Sequence, residues 1–409
     1  MSARILLFIV ALGAPLIACG QAAAPAAAET KPIAGKLTNA IGTGRQGFDG
    51  DGHPASQSWL NEPTEVAFDA DDNLFVVDWN NHRLRQLQDG KLQTVIGSRL
   101  PGDWPPDVEA SAAVAGTELA LNHPMDVAFA NDGQAYVAAW HNHKLLELEP
   151  NDGSVRRIAG GARPGYAGDG GAGQAALLNF PGSLVIDASG ALLLADQRNN
   201  VIRRIAADQQ HTITTVAGVK APSGYKGDAG PAAAAALGMC PYDEAGGSDN
   251  PPPGGALALD ADGNLYLADT FNHCVRRILA GDDGLIGAGD PAQEIIETFA
   301  GECENRGFDA DIEPSQLLLD TPRDLEVHDG RLYIADSGNS VVWRVELDTG
   351  KATRIVGTGE AGEAKNDSLP LEAALHQPYG IGFDHAGNLY IADTLSHRVL
   401  VLGSTTDEK

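Results

Sequence analysis

Residues 35–44 read GKLTNAIGTG, and residues 350–359 read GKATRIVGTG. One copy opens the chain's patterned region. The other lies one unit short of its end. Between them a longer pattern recurs: a Leu, a Pro, an apolar run, an Asp/Gly turn, and a second apolar run with a shared ending. Those endings are LFVVDWNNHR, AYVAAWHNHK, LLLADQRNNV, LYLADTFNHC, LYIADSGNSV and LYIADTLSHR. With Asp78, Ala139, Asp196, Asp269, Asp336 and Asp393 as markers, the steps are 61, 57, 73, 67 and 57 residues. Alternation within runs such as FVVDW puts every second side chain into a core between sheets. A period of this length carrying four short strands predicts propeller blades. Fourth strands are GKLQTVIGS (90–98), SVRRIAGG (154–161), TITTVAGV (212–219), IIETFAGE (295–302) and GKATRIVGTG. The last unit, residues 375–403, has three strands, and GKLTNAIGTG supplies the missing one. The expected fold is all-β: a six-bladed β-propeller of four-stranded blades, the last closed by the N-terminal strand beside Arg398–Leu402. Closure of this kind removes two open sheet edges.

The element Asn272-His273-Cys274-Val275-Arg276, with DADGNLYLAD upstream, resembles the NHL repeat. The resemblance spans about 370 residues and implies a propeller. NHL propellers serve as enzymes, RNA binders, sensors and protein-binding platforms, so fold alone leaves function open.

Four segments are expected: 1–18, a signal peptide; 19–32, an Ala/Pro-rich tether; 33–404, the propeller; and 405–409, a tail. A basic start at Arg4 precedes an apolar run from Ile5 to Leu16, too short to span a bilayer as a helix. Leu16-Ile17-Ala18-Cys19 resembles the bacterial lipobox, which implies a lipid on Cys19. Gly20 follows it, not Asp, which by the same resemblance implies the outer membrane of a cell envelope. The membrane is then reached through the lipid alone. The chain carries 28 basic and 55 acidic side chains, a net charge of −27. Loss of Arg4 with the leader takes this to −28. Such a surface repels phosphate backbones, and nucleic acid is excluded as a partner.

The recurring polar residues are expected to be structural. Asp78, Asp196, Asp269, Asp336 and Asp393 end second strands, while His82, His143, His273 and His397 begin third strands. A polar group repeated around a ring satisfies turn backbone or bridges to the next blade, whereas catalysis needs one site. DADGN (260–264) lacks the Glu of a calcium loop and reads as a hairpin turn. Connectors GFDGDGHPA (47–55), GYAGDGGAG (165–173) and GYKGDAGPA (224–232) lack a phosphate-loop lysine. Their Asp, as Asp228 before Pro231, is expected to cap a single helical turn.

What differs between repeats marks the candidate site. Two residues after the strand-opening Pro stand Glu65, Asp126, Ser183, Asp324 and Gly380, with Ala256 in the shifted fourth blade. Around them, on the face bearing connectors and second-to-third-strand turns, lie Trp79, His123, Trp140, His141, Arg198, Phe271, Arg323, His376 and Tyr379. Such a group can stack on and hydrogen-bond a sugar, peptide or small organic ligand. The stiff insertion CPYDEAGGSDNPPPGG (240–255) is expected to wall the same face. An oxidising compartment would permit a disulfide between Cys240 and Cys303 if their connectors approach closely enough, and Cys274 reads as a buried thiol.

The reading favoured is a monomeric, non-catalytic binding or scaffold protein for a protein, peptide or carbohydrate, with no cofactor. The alternative is a lyase, lactonase or hydrolase using Ca²⁺ or Mg²⁺ held by Glu65, Asp126 and Asp324. Amidating-lyase relatives of the repeat place a zinc-binding His directly after the strand-opening Pro. Here those positions are Thr64, Met125, Gly182, Gly255, Arg323 and Tyr379, so that activity is not implied.

Overall fold

The computed structural model describes residues 32–98, 100–105, 109, 112–220, 223–241, 251–308 and 317–405. The expected leader, Cys19, most of the tether, the middle of the blade-four insertion and the end of the tail lie outside the described residues.

Period-2 runs rich in Val, Ile, Leu and Tyr form six antiparallel sheets, as the repeat predicts. In blade one the strands are Pro63–Phe68, Leu74–Asp78, Arg83–Gln88 and Lys91–Ile96. Every residue of Leu74–Asp78 is buried, because second strands sit between blades on both faces. The core is accordingly a series of inter-blade clusters. One joins Val77 and Ile96 of blade one to Val137 and Leu146 of blade two. Blades two, three and four each gain a fifth strand of two residues from the preceding connector: Val114–Ala115, Gly171–Ala172 and Gly230–Pro231. This addition covers the outer edge of a blade.

The ring closes as the duplicated segment implies. Leu37–Ile41 pairs antiparallel with Arg398–Leu402, with Leu37 opposite Leu402 and Ile41 opposite Val399. Leu37 and Ile41 are 1% and 0% exposed. Leu37 packs in the blade-five to blade-six cluster and Ile41 in the blade-six to blade-one cluster, so one strand ties three blades. Gly380 and Gly382 sit where a Cβ would strike the Thr64 and Val66 carbonyls. Their missing side chains let blades six and one meet backbone to backbone.

Two expectations are corrected. The disulfide joins Cys274 to Cys303, with Cα atoms 5.0 Å apart, while Cys240 is buried and forms no disulfide. Cys274 opens the third strand Cys274–Ile278, and Cys303 lies just beyond the fourth, Ile295–Ala300. Antiparallel pairing of Val275 with Ala300 brings the two cysteines together within one blade. The connector Asp residues cap nothing. Asp228 accepts instead from Tyr225 and Thr298 and pairs with Arg276, beneath a single 3₁₀ turn, Ala232–Ala234, without a side-chain cap.

Ile41→Ala is expected to cost about 2–5 kcal/mol, measured by chemical denaturation. Deleting residues 33–44 should lower Tm further and yield oligomers on a sizing column. An unchanged Tm in the deletion would contradict closure by this strand.

Candidate functional site

The repeated polar residues are committed to two hydrogen-bond systems. In the first, the Asp ending a second strand is fully buried and fixes the turn that leads into the first strand of its own blade. Asp78 Oδ1 accepts from Asn61 N–H at 2.8 Å, and its Oδ2 accepts from Asn81 and Arg85. Asp196 does the same with Asn179, Asn199 and Arg203. Asp269 repeats it with Gly238, Asn272 and Arg276. Each Arg then reaches a connector Asp: Asp51, Asp169 or Asp228. Burial pushes Asp78 and Asp196 up to about 6 against the pull of their arginines. In blade five Trp343 replaces the Arg and donates to Asp336, which burial raises to about 7. In blade two, where Ala139 replaces the Asp, Asn142 accepts from Asn122 instead.

The second system clasps blade to blade. The residue after each second-strand turn adopts a left-handed backbone, and in blades one to four and six its side chain accepts an N–H from the next blade. His82 Nδ1 accepts from His123, His143 Nδ1 from Phe180, His273 Nδ1 from Thr321 and His397 Nδ1 from Glu62, at 3.1–3.2 Å. Asn200 Oδ1 takes the same role toward Cys240 at 3.0 Å. An Nδ1 that accepts carries no proton, and burial depresses His82 and His143 to about 4. These residues are structural, as their repetition suggests.

The carboxylates two residues after the strand-opening Pro form a belt around the channel. First strands are the inner edges of their sheets, so their outward N–H groups have no strand partner. Asp126 accepts from Leu184 of the next blade at 2.8 Å, Ser183 from Leu257 at 3.1 Å, and Asp324 from Ile381 at 2.7 Å. Where the preceding blade offers no such acceptor, the acid serves its own strand. Glu65 accepts from Val66 because blade six has Gly380 there, and Asp324 also takes Leu325 because blade four has Ala256. Asp126 likewise takes Val127. The belt thus satisfies inner-edge backbone. Among the described residues no three His, Cys, Asp or Glu side chains are grouped to hold a metal ion.

Glu326 breaks this pattern and was not singled out from sequence. It stands two residues beyond the belt, where other blades have Ala67, Ala128, Val185, Ala258 and Gly382. It lines a channel cavity of about 300 Å³ with Glu65, Asp126 and Asp324. Protein crowds it on all sides, although part of its surface opens to the cavity. Burial, then the Asp126 charge, pushes it up to about 8. Burial and mutual repulsion also raise Glu65 and Asp324 well above the usual range, and burial raises Asp126 to about 6. Comparison of the six repeats carries the signal: one acid among small apolar residues.

The mouth residues fall into two arcs. On blades one to three, Trp79 packs on His123 at 4.3 Å, and His123 Nδ1 lies 2.7 Å from His141 Nδ1. His123 Nε2 contacts Asn80 Oδ1, and burial holds this imidazole down to about 3. Trp140 is 0% exposed. It stacks on His141, and its indole N–H donates to Gln197, which grips both ends of the blade-four insertion through the Met239 and Pro252 carbonyls. Trp140 therefore shapes this face from beneath. Arg198 lies over Phe180. On the other arc, Arg323 sits over Tyr379 at 4.7 Å and Phe271 at 5.8 Å. His376 gives its backbone N–H to Asp393 beside them. Trp79 Nε1, Thr64 Oγ1 and Arg323 Nη1 are buried atoms without a hydrogen-bond partner in the described structure.

Two pH experiments probe these systems. Because His143 is lowered to about 4 from 6.5, its share of stability is complete above about pH 6.5 and is lost as pH falls toward 4. Asn200 shows that asparagine makes the same clasp, so His143→Asn should match the wild-type Tm near pH 7.5 and exceed it near pH 4.5. Equal differences at both pH values would remove the proton linkage. Glu326 is raised from 4.5 to about 8, so its protonated form stabilises the fold below 4.5, a contribution lost as pH rises through 8. Glu326→Gln should therefore melt higher than wild type near pH 9 and equally near pH 5.

The NHL repeat model matches residues 60–87. Protein SUPPRESSOR OF QUENCHING 1, chloroplastic, of Arabidopsis thaliana is 27% identical over 327 residues, covering 77% of this chain and 27% of that protein. NHL repeat-containing protein 2 of Gallus gallus is 26% identical over 365 residues, covering 84% and 46%. The chain thus spans roughly a quarter to a half of the length of these curated relatives. Among solved structures, an auxiliary nutrient binding protein from Bacteroides ovatus ATCC 8483 superposes with a TM-score of 0.61 at 14% identity, covering 90% of this chain and 76% of that one. That likeness is one of fold. Six sequence repeats build six blades of a β-propeller, and the repeat of blade one, residues 60–87, matches the NHL repeat.

Proposed function

We propose that the protein is a lipid-anchored extracytoplasmic binding protein, held through Cys19 at the outer membrane, whose channel mouth receives a protein, peptide or carbohydrate. The observation that carries this reading is the pair of unpartnered buried donors at the mouth: Trp79 Nε1 and Arg323 Nη1. A buried donor without an acceptor is costly, and a ligand carbonyl, hydroxyl or carboxylate relieves that cost on binding. Neither side chain recurs as an unpartnered donor in another blade: Trp140, the counterpart of Trp79, donates to Gln197. The recurring Asp and His are committed to turns and clasps, which leaves them no spare capacity for chemistry. Trp79, His123, Phe271 and Tyr379 add partly exposed rings that suit a sugar face or peptide side chain.

The alternative, a divalent-metal-assisted lyase, lactonase or hydrolase, draws on the acidic belt. Glu65, Asp126 and Asp324 are oxygen donors of the kind Ca²⁺ and Mg²⁺ prefer. Their arrangement supports it less, since each has an oxygen engaged by backbone N–H.

The test is binding of the immobilised chain to glycan and peptide arrays, followed by metal analysis. Trp79→Ala with Arg323→Ala should weaken a captured ligand by about tenfold or more, at unchanged Tm. Undiminished capture would displace the mouth as the binding surface. A stoichiometric divalent ion lost on Asp126→Ala with Asp324→Ala would favour the enzyme.

A further inference from the structure

Below the belt, on the side away from the mouth, the first strands run from Glu65 to Phe68, Asp126 to Phe129, Ser183 to Ile186, and onward around the ring. They enclose the cavity of about 300 Å³. Its upper end carries Glu65, Asp126, Asp324 and Glu326, and its wall carries the partly exposed side chains of Phe68, Phe129, Ile186 and Phe383. The volume is at the small end of ligand pockets.

Three of these acids have a structural duty to backbone N–H groups. Glu326 has none: no hydrogen bond or ion pair engages it among the described residues, and five sibling blades dispense with an acid there. A carboxylate placed among three others raises the energy of the empty channel, and the sheets do not need it. A second, independent observation lies on the upper side of the belt. Thr64 is 2% exposed, and its Oγ1 has no partner. It lines a cavity of about 20 Å³ with Glu65, Asp126 and Asp324. Belt and threonine together form an acceptor-rich constriction with unmet capacity.

We propose that this cavity is a second binding site, distinct from the mouth, and that it takes a small organic cation: a protonated amine on a compact apolar body. The ammonium group meets the four carboxylates, and the body lies among the phenylalanines. Their ring faces attract cations as well as apolar groups. A metal ion fits less well, because no three acids are grouped closely enough to chelate one and the negative charge is spread around the wall. A diffuse organic cation suits a diffuse acidic ring. An anion is excluded by the same charges. The ligand relieves the mutual repulsion of Glu65, Asp126, Asp324 and Glu326, so its uptake expels protons and tightens as pH rises. Two basic groups share the strand of Glu326: Arg323, next to Asp324 on the upper side of the belt, and His328, which stacks on Phe383.

The experiment is calorimetric titration of the full chain with benzylamine, with benzyl alcohol as its uncharged match and calcium chloride as the metal control. Expected are saturable benzylamine binding, affinity about tenfold or more above benzyl alcohol, proton release in buffers of different ionisation heat, and tighter binding near pH 8 than near pH 6. Glu326→Gln and Glu326→Ala should each weaken benzylamine by about tenfold. Alanine stands at this position in three other blades, so the fold tolerates it. Trp79→Ala should leave benzylamine binding unchanged. Absence of saturable binding, equal affinity for the alcohol, or indifference to both Glu326 variants would overturn the proposal. Calcium binding without benzylamine binding would overturn it in favour of a metal site.

Discussion

A sheet that does not close on itself leaves a row of backbone N–H and C=O groups at each edge, and a ring of six such sheets must satisfy all of them. That constraint organises this protein. The outer edges of blades two to four take two-residue strands from the connectors. The outermost strand of blade six comes from the far end of the chain, Leu37–Ile41, which welds the ring. The inner edges cannot borrow a strand, because six of them converge on one channel. They borrow side chains instead. Asp126, Ser183 and Asp324 each reach to the next blade, and Glu65 turns back on its own strand where Gly380 offers nothing. The acidic belt is therefore first a backbone-satisfying device, and its crowding of carboxylates is a by-product.

The same economy explains the repeated Asp and His. Each turn between second and third strands, and each junction with the next blade, needs a buried acceptor. One Asp and one neutral His or Asn supply them. Substitutions within the system are matched: Asn142 covers for Ala139, and Trp343 covers for a missing Arg. Once these roles are removed, a short remainder has no structural explanation. At the mouth it includes Trp79, His123 and Arg323, and at the belt Thr64. In the channel it is Glu326. Function is sought in that remainder, because a group that costs stability and holds nothing together persists only if something else uses it.

The fold was legible because its signals are periodic and local. Six spaced Asp endings, alternating apolar runs and a displaced fourth strand specify blades, their number and the closure, since each repeat is one unit that buries its faces only against its neighbours. The structural role of Asp and His was legible for the same reason: repetition around a ring argues against a single site. Three things were decided in three dimensions. The disulfide partner of Cys303 is Cys274 because an antiparallel hairpin brings strand ends together, which linear spacing between connectors does not reveal. Trp140 is sealed under the mouth by His141 and Gln197, although its sequence context matches that of the partly exposed Trp79. Glu326 acquires its meaning only when six first strands converge and place it beside acids from blades one and two. Chain chemistry alone sets which residues alternate, turn and repeat; only convergence of distant blades decides which polar groups end without a partner.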